Sequence, residues 1–341
     1  MNKKVVTFGE IMLRLTTEGY KRFVQSGNFI RTIGGAEANV AIALSNFGIK
    51  SEFVTRLPQN DLSKIIISGL QSHNVIVDNI QFGGERLGIY FVEMGSGNRG
   101  GKVIYDRTNS SFSSLQTGIF DWNKIFTKSS VFLWTGITPA VSQNAAEVCY
   151  ESIQEARKKN ITIICDLNYR KALWNYGKTP LEIMPNLVKY CDVICCNEED
   201  AKYMLGIEME EDGISDLHSY ELISKQIMKE YPATKIVATT LRDSINANNN
   251  NWRGVLWDGK IFHVSTQYNI THIVDRFGAG DSFTAGLIFG ILNWGNDNKK
   301  ILEFATAASS LKHTIPGDFN EVSLHEVNNL MNGNKSGRVV R

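Results

Sequence analysis

The sequence predicts an α/β protein: a doubly wound, mostly parallel sheet with helices on both faces and a small β-sheet lid beside it. Three observations carry this. Short runs rich in Val and Ile alternate with amphipathic helical patterns, the order that parallel strands joined by crossover helices require. The runs are continuously apolar, as in strands buried on both faces. Two segments break the alternation and read as strands of a separate sheet.

The strand runs fall at residues 5–9, 52–56, 131–135, 161–165, 193–196 and 236–239. Between them, a helix over 38–47 stops at Gly48, and another over 199–205 stops at Gly206, since glycine readily ends a helix. Ser142 is placed to N-cap a helix running to Lys159, with basic residues in its last turn. A further helix ends over 225–230. The segments that break the pattern are 11–17 and 86–107, the latter being two strands, 87–93 and 102–107, around a glycine-rich stretch. Residues 255–257 and 261–264 flank Asp258-Gly259, a preferred hairpin turn. The asparagine run at 248–251 reads as a local polar loop, and 332–341 as a flexible tail after a single domain over 1–331.

Composition narrows the function. The 341 residues are 43% apolar with a net charge of +1, so no basic footprint suits nucleic acid or a membrane surface. No apolar run approaches the ~20 residues of a membrane span. The start, Met1-Asn2-Lys3-Lys4, is too polar for a signal peptide. A cytoplasmic location is therefore expected. The five cysteines show no Cys-x-x-Cys spacing and read as reduced, buried thiols.

The stretch Asp275-Arg276-Phe277-Gly278-Ala279-Gly280-Asp281 precedes an apolar helical pattern over 283–292. Glycines at a helix start let the backbone approach a ligand and leave N–H donors unpaired. Donors and dipole together favour an anion such as a phosphate. Asp281 then stands beside the anion, where a carboxylate could take the proton of an attacking hydroxyl. On residues alone, a simple helix cap is an equal alternative. Gly34-Gly35 opens another helix, with Asn39 offering both a donor and an acceptor to a polyhydroxyl ligand; a tight turn is the bland alternative. Asp166-Leu167-Asn168-Tyr169-Arg170 and Asn197-Glu198-Glu199-Asp200 each follow a strand, at the ends where open α/β sheets bind ligands. Oxygen ligands there could hold hydrated magnesium, or could simply be an acidic helix start.

Other chemistries lack their motifs. No Gly-x-Gly-x-x-Gly follows a strand, no His-Glu-x-x-His occurs, and Gly100-Gly101-Lys102 lacks the first glycine and the Ser/Thr of a P-loop.

These residues together resemble the ribokinase-like (PfkB-type) carbohydrate kinases. Gly34-Gly35 with Asn39 resembles their N-terminal signature, and Asp275-x-x-Gly278-Ala279-Gly280-Asp281 their C-terminal one. The resemblance runs from about residue 5 to residue 330 and implies the ribokinase-like fold, ATP and Mg2+, and leaves room for a monovalent cation. It implies Asp281 as catalytic base, and Gly278, Ala279 and Gly280 as an anion hole. Within the family the likeness is greatest to 2-keto-3-deoxygluconate kinases. It rests on Tyr90, Tyr105-Asp106-Arg107, Asp166-x-Asn168-x-Arg170 and the stretch from Lys312 to Asp318. That likeness implies substrate contacts at Gly34, Gly35, Asn39, Tyr90, Tyr105, Arg107, Arg170 and Asp318. It implies nucleotide contacts at Asn168, Asn197, Thr239, Leu241, Gly278 and Gly280. Asp200 and Asp275 would face the metal through water. Arg276-Phe277 departs from the small pair usual before the C-terminal glycines, and Asp200 from the more frequent Glu.

The expected reaction is phosphorylation of a sugar acid, 2-keto-3-deoxygluconate to its 6-phosphate, with Arg107 and Arg170 gripping the carboxylate. A fructokinase or ribokinase of the same fold is the alternative, and a non-catalytic sugar sensor a more distant one. The outer face of the lid is expected to join a second copy in a homo-oligomer.

Overall fold

The computed structural model describes residues 4–208 and 217–334. Its main sheet has nine strands. From one edge, eight of them run Phe262–Val264, Asn249–Trp257, Ile236–Asn246, Val193–Cys195, Thr162–Asp166, Ser129–Thr135, Lys4–Phe8 and Ser51–Val54. Tyr268–Ile270 is the ninth and pairs with Asn249–Trp257. The five pairings from Ser51–Val54 across to Ile236–Asn246 are parallel, and the remaining three are antiparallel.

Helices cover both faces, because strands this apolar must be buried on both sides. One face packs Phe8, Trp134 and Ile163 against helices such as Gln143–Lys158. The other packs Val5, Leu133 and Ile164 against Ala36–Asn46, Ala279–Trp294 and Asn298–Lys312. The predicted caps form: Ser142 Oγ accepts from the Ala145 N–H, and Gly48 and Gly206 adopt positive φ at helix ends. All five cysteines are buried and free. No helix among the described residues is long and apolar enough to cross a membrane.

The lid is a four-stranded sheet in the order Phe29–Gly34, Met12–Thr17, Ile89–Glu93, Lys102–Asp106. Three of these strands coincide with the predicted segments 11–17, 87–93 and 102–107. The fourth, Phe29–Gly34, leads directly into the first glycine signature and was not expected.

Two expectations change. The strand expected over 236–239 continues to Asn246, and of the asparagine run only Asn248 lies in a turn. Asn249, Asn250 and Asn251 begin a strand that pairs antiparallel with Ile236–Asn246. Asparagine disfavours strands intrinsically, and cross-strand pairing overrides that preference. The expected tail over 332–341 lies, from residue 335 on, outside the described residues.

Candidate active site

A cavity of about 560 Å³ lies where the carboxyl ends of the central strands meet the lid. Asp281 sits in the first turn of helix Ala279–Trp294, and Gly278 is that helix's N-cap. Gly278 has φ +77°, and a Cβ there would strike the backbone oxygen of Asp318, so the turn requires glycine. A Cβ on Gly280 would meet nothing within 4 Å. The positive end of the helix therefore borders open space, and Gly278, Ala279 and Gly280 all line the cavity.

Asn39 reaches Asp281 from helix Ala36–Asn46, its Nδ2 donating to Oδ2 at 2.6 Å. Burial is the main force on the Asp281 carboxyl and lifts its pKa to about 7. The Asn39 hydrogen bond pulls it down, the Asp318 charge pushes it up, and Arg170 pulls it down. A base poised near neutrality suits proton transfer at physiological pH.

On the lid side, Asp318 accepts from the Tyr90 hydroxyl at 2.7 Å and from Arg14 Nη1 at 2.6 Å. Arg14 Nη2 donates to Asp275 Oδ2 at 2.7 Å, and its Nε to Thr16 Oγ1 at 2.8 Å. The Arg14 guanidinium also lies 4.5 Å from the centre of the Phe277 ring. Burial opposes its charge, but Asp318 and Asp275 overcome this and raise its pKa. At Gly34 a Cβ would collide with the Tyr90 hydroxyl and the Asp318 carboxylate, so the missing side chain leaves that polar pair accessible.

Arg107 and Arg170 both line the cavity, but they are not a matched pair. Arg107 is buried, and its Nε and Nη2 both donate to Glu10 Oε2. Arg170 is exposed and donates only to the Tyr169 backbone oxygen, at 2.8 Å. Arg170 thus acts on the carboxylates of Asp281, Asp166 and Asp200 only through its field, while Arg107 brings a guanidinium paired directly with Glu10.

The acidic side is built from the ends of two strands. Asp166 closes Thr162–Asp166, and its side-chain Oδ2 accepts from Thr284 Oγ1 at 3.4 Å. Burial, then the charges of Asp200 and Asp281, push its pKa well up. Asp200 accepts from the N–H groups of Tyr169 and Asn197, and burial lifts it to about 6. Asn168, with φ +44°, and Asn197 line the same wall.

Three expected positions do not line the cavity. Asp275 is already held by Arg14 and by the N–H groups of Phe277 and Gly317. The positive charge beside it is thus the protein's own, from Arg14 and the buried Lys312, which disfavours a metal or a monovalent cation there. The side chains of Thr239 and Leu241 point away because strand residues alternate between faces. Ala238, Thr240 and Arg242 take the cavity side, and Leu241 packs with Tyr220 and Val255. Conversely, Arg14, Glu10 and Arg242 were not expected. For Arg14 a signal existed, a charge on the same strand face as Met12, a position that is otherwise apolar.

The profile of the pfkB family carbohydrate kinases matches residues 2–322. A 2-dehydro-3-deoxygalactonokinase of Haloferax volcanii is 27% identical, covering 99% of each chain. A 2-dehydro-3-deoxygluconokinase of Bacillus subtilis is 25% identical, over 96% of this chain and 94% of its own. The crystal structure of the 2-dehydro-3-deoxygluconokinase of Thermotoga maritima superposes with a TM-score of 0.92 at 43% identity, covering 97% of this chain and all of its own. With this match over most of its length and both glycine signatures in one cavity, the chain belongs to the pfkB family of carbohydrate kinases.

Proposed function

We propose that this kinase transfers the γ-phosphate of ATP to the terminal hydroxyl of a 2-keto-3-deoxy sugar acid, foremost 2-keto-3-deoxygluconate, giving the 6-phosphate. The observation that carries the reading is Asp281: a buried carboxylate with a pKa of about 7, aimed by Asn39 and set at an anion-binding helix start. The names of the relatives supply the choice of acid over neutral sugar.

In this reading the sugar lies under the lid, against Gly34, Tyr90, Tyr105 and Asp318. Asp281 accepts the proton of the attacking hydroxyl. The N–H groups of the Gly278–Gly280 turn stabilise the oxygens of the transferring phosphoryl group, where charge is greatest. Arg170 supplies the free guanidinium for the substrate carboxylate. Asp166 suits a divalent cation, since among the described residues its carboxylate accepts only a long hydrogen bond from Thr284 and feels the charge of Asp200. Asp166, with Asp200 acting through water, would hold a Mg2+ that offsets phosphate charge. The enzyme would work in the cytoplasm, as a homo-oligomer joined through the lid.

An ADP-release screen over 2-keto-3-deoxygluconate, its C4 epimer 2-keto-3-deoxygalactonate, fructose and ribose tests the substrate. The acids should show the highest kcat/KM; a higher value for fructose or ribose refutes the reading. Asp281→Asn should cut kcat by ~10²–10⁴-fold, the usual worth of a general base, while ATP binding persists. Near-normal kcat in that variant would remove Asp281 from the role.

A further inference from the structure

Two arginines on the cavity wall have no part in the scheme above. Arg242 lies on the cavity face of strand Ile236–Asn246, directly across from Trp252 on the neighbouring strand. It is exposed, and among the described residues its side chain makes no hydrogen bond or ion pair. Arg276 lines the same cavity two residues before Gly278. Its Nη2 donates to the Ala247 backbone oxygen at 2.7 Å, a contact that orients the guanidinium without neutralising it. The adjacent carboxylate, Asp275, is committed to Arg14.

The two guanidinium groups are close enough to repel: Arg276 is destabilised in its charged form first by burial and then by Arg242. Asp275 offsets part of the Arg276 charge but is itself committed to Arg14, so two guanidinium groups on one cavity wall leave room for an anion. Guanidinium groups match phosphate oxygens through paired N–H donors. The position beside the Gly278–Gly280 helix start extends an anion site already present.

We propose that Arg242 and Arg276 form a clamp for the polyphosphate of the nucleotide donor, continuing the anion site of the glycine turn along the hairpin strand. The inference rests on the reading that this cavity takes ATP, and not on which sugar is phosphorylated. Arg276 is pre-set by the Ala247 carbonyl, whereas Arg242 is free to close on the ligand. Loss of either should therefore weaken nucleotides in proportion to their phosphates, ATP and ADP strongly and AMP little.

Calorimetric titration of ATP, ADP and AMP into the wild type, Arg242→Gln and Arg276→Gln, without sugar, tests this. A charge-assisted hydrogen bond corresponds to a loss of roughly tenfold or more in affinity. We expect at least that loss for ATP and ADP in each variant, with AMP within about twofold and the KM of the sugar acid unchanged. Arg242 has no partner to lose, so Arg242→Gln should keep the wild-type melting temperature and stays informative if Arg276→Gln does not fold. Unchanged ATP affinity in Arg242→Gln overturns the clamp, as does an equal loss for all three nucleotides. A rise confined to the sugar-acid KM also overturns it and would assign the arginines to the substrate. Failure of the wild type itself to bind ATP would instead defeat the kinase reading.

Discussion

Asn39 acts on Asp281 in two ways at once. Its amide fixes the carboxylate's direction, and by donating to the ionised form it holds the pKa at about 7 against a burial that would drive it higher. The sign of the consequence follows. Removing the donor raises the pKa, so less carboxylate is available at neutral pH and the acid limb of the rate profile moves to higher pH. Asn39→Ala should shift that limb upward in kcat/KM and regain part of its lost activity in alkaline buffer. A profile that falls in height without shifting would mean Asn39 acts only by position. His313 does not compete for the limb, because burial lowers it to about 4. At this scale the sequence was legible wherever a role depends on near neighbours. Gly278, Gly280 and Asp281 lie within one helical turn, and Gly34, Gly35 and Asn39 stand close together at another strand-to-helix junction. Glu10 was not legible, because its significance comes from Arg107, 97 positions away. The same holds for the Arg14–Asp275 pair, 261 positions apart.

At the scale of elements, one lid strand is tied to the catalytic turn by a buried ion network. Arg14 on Met12–Thr17 bridges Asp275, ahead of the glycine turn, and Asp318, which also takes the Tyr90 hydroxyl of a second lid strand. The unexpected Phe277 shields this guanidinium, which gives the departure from small residues before Gly278 a physical reason. Removing one member of a buried ionic network leaves its partners charged and unpaired, at a cost of about 3–5 kcal/mol. Arg14→Ala should lose stability on that scale in a denaturant titration. A loss below about 1 kcal/mol, the worth of an exposed pair, would contradict the network's role. Strand ends were the least legible feature. The parallel strands announced themselves through Val and Ile, but Ile236–Asn246 and Asn249–Trp257 run on through Arg, Asp, Ser and Asn. Only their mutual pairing makes those residues strand.

For the whole molecule, the lid has two unlike faces. Met12, Arg14, Tyr90 and Tyr105 turn inward, while Leu15, Phe29, Phe91 and Ile104 lie on the other face. Phe29 packs edge-on against Phe91, and Ile104 remains 54% exposed. This is the face through which the proposed homo-oligomer would join. A homodimer is expected by light scattering at micromolar concentration, and Ile104→Glu should shift it toward monomer. A monomeric wild type would refute the lid-mediated assembly. The alternation that sorts the two faces was readable from sequence, whereas the fourth strand, Phe29–Gly34, was hidden by its merger with the glycine signature.

The Arg14 network spans almost the full length of the chain, with 304 positions separating Arg14 from Asp318. Asn39 and Asp281 are 242 apart. A ribosome must therefore release residue 318 before the early lid strands can meet the carboxylates that complete them. Until then, the charged Arg14 and the apolar lid face lack their final partners, and contacts this distant form slowly. A nascent chain halted before residue 318 would hold most of its parallel sheet yet lack the Asp318 contacts to Arg14 and Tyr90, so activity should appear only once that residue has emerged.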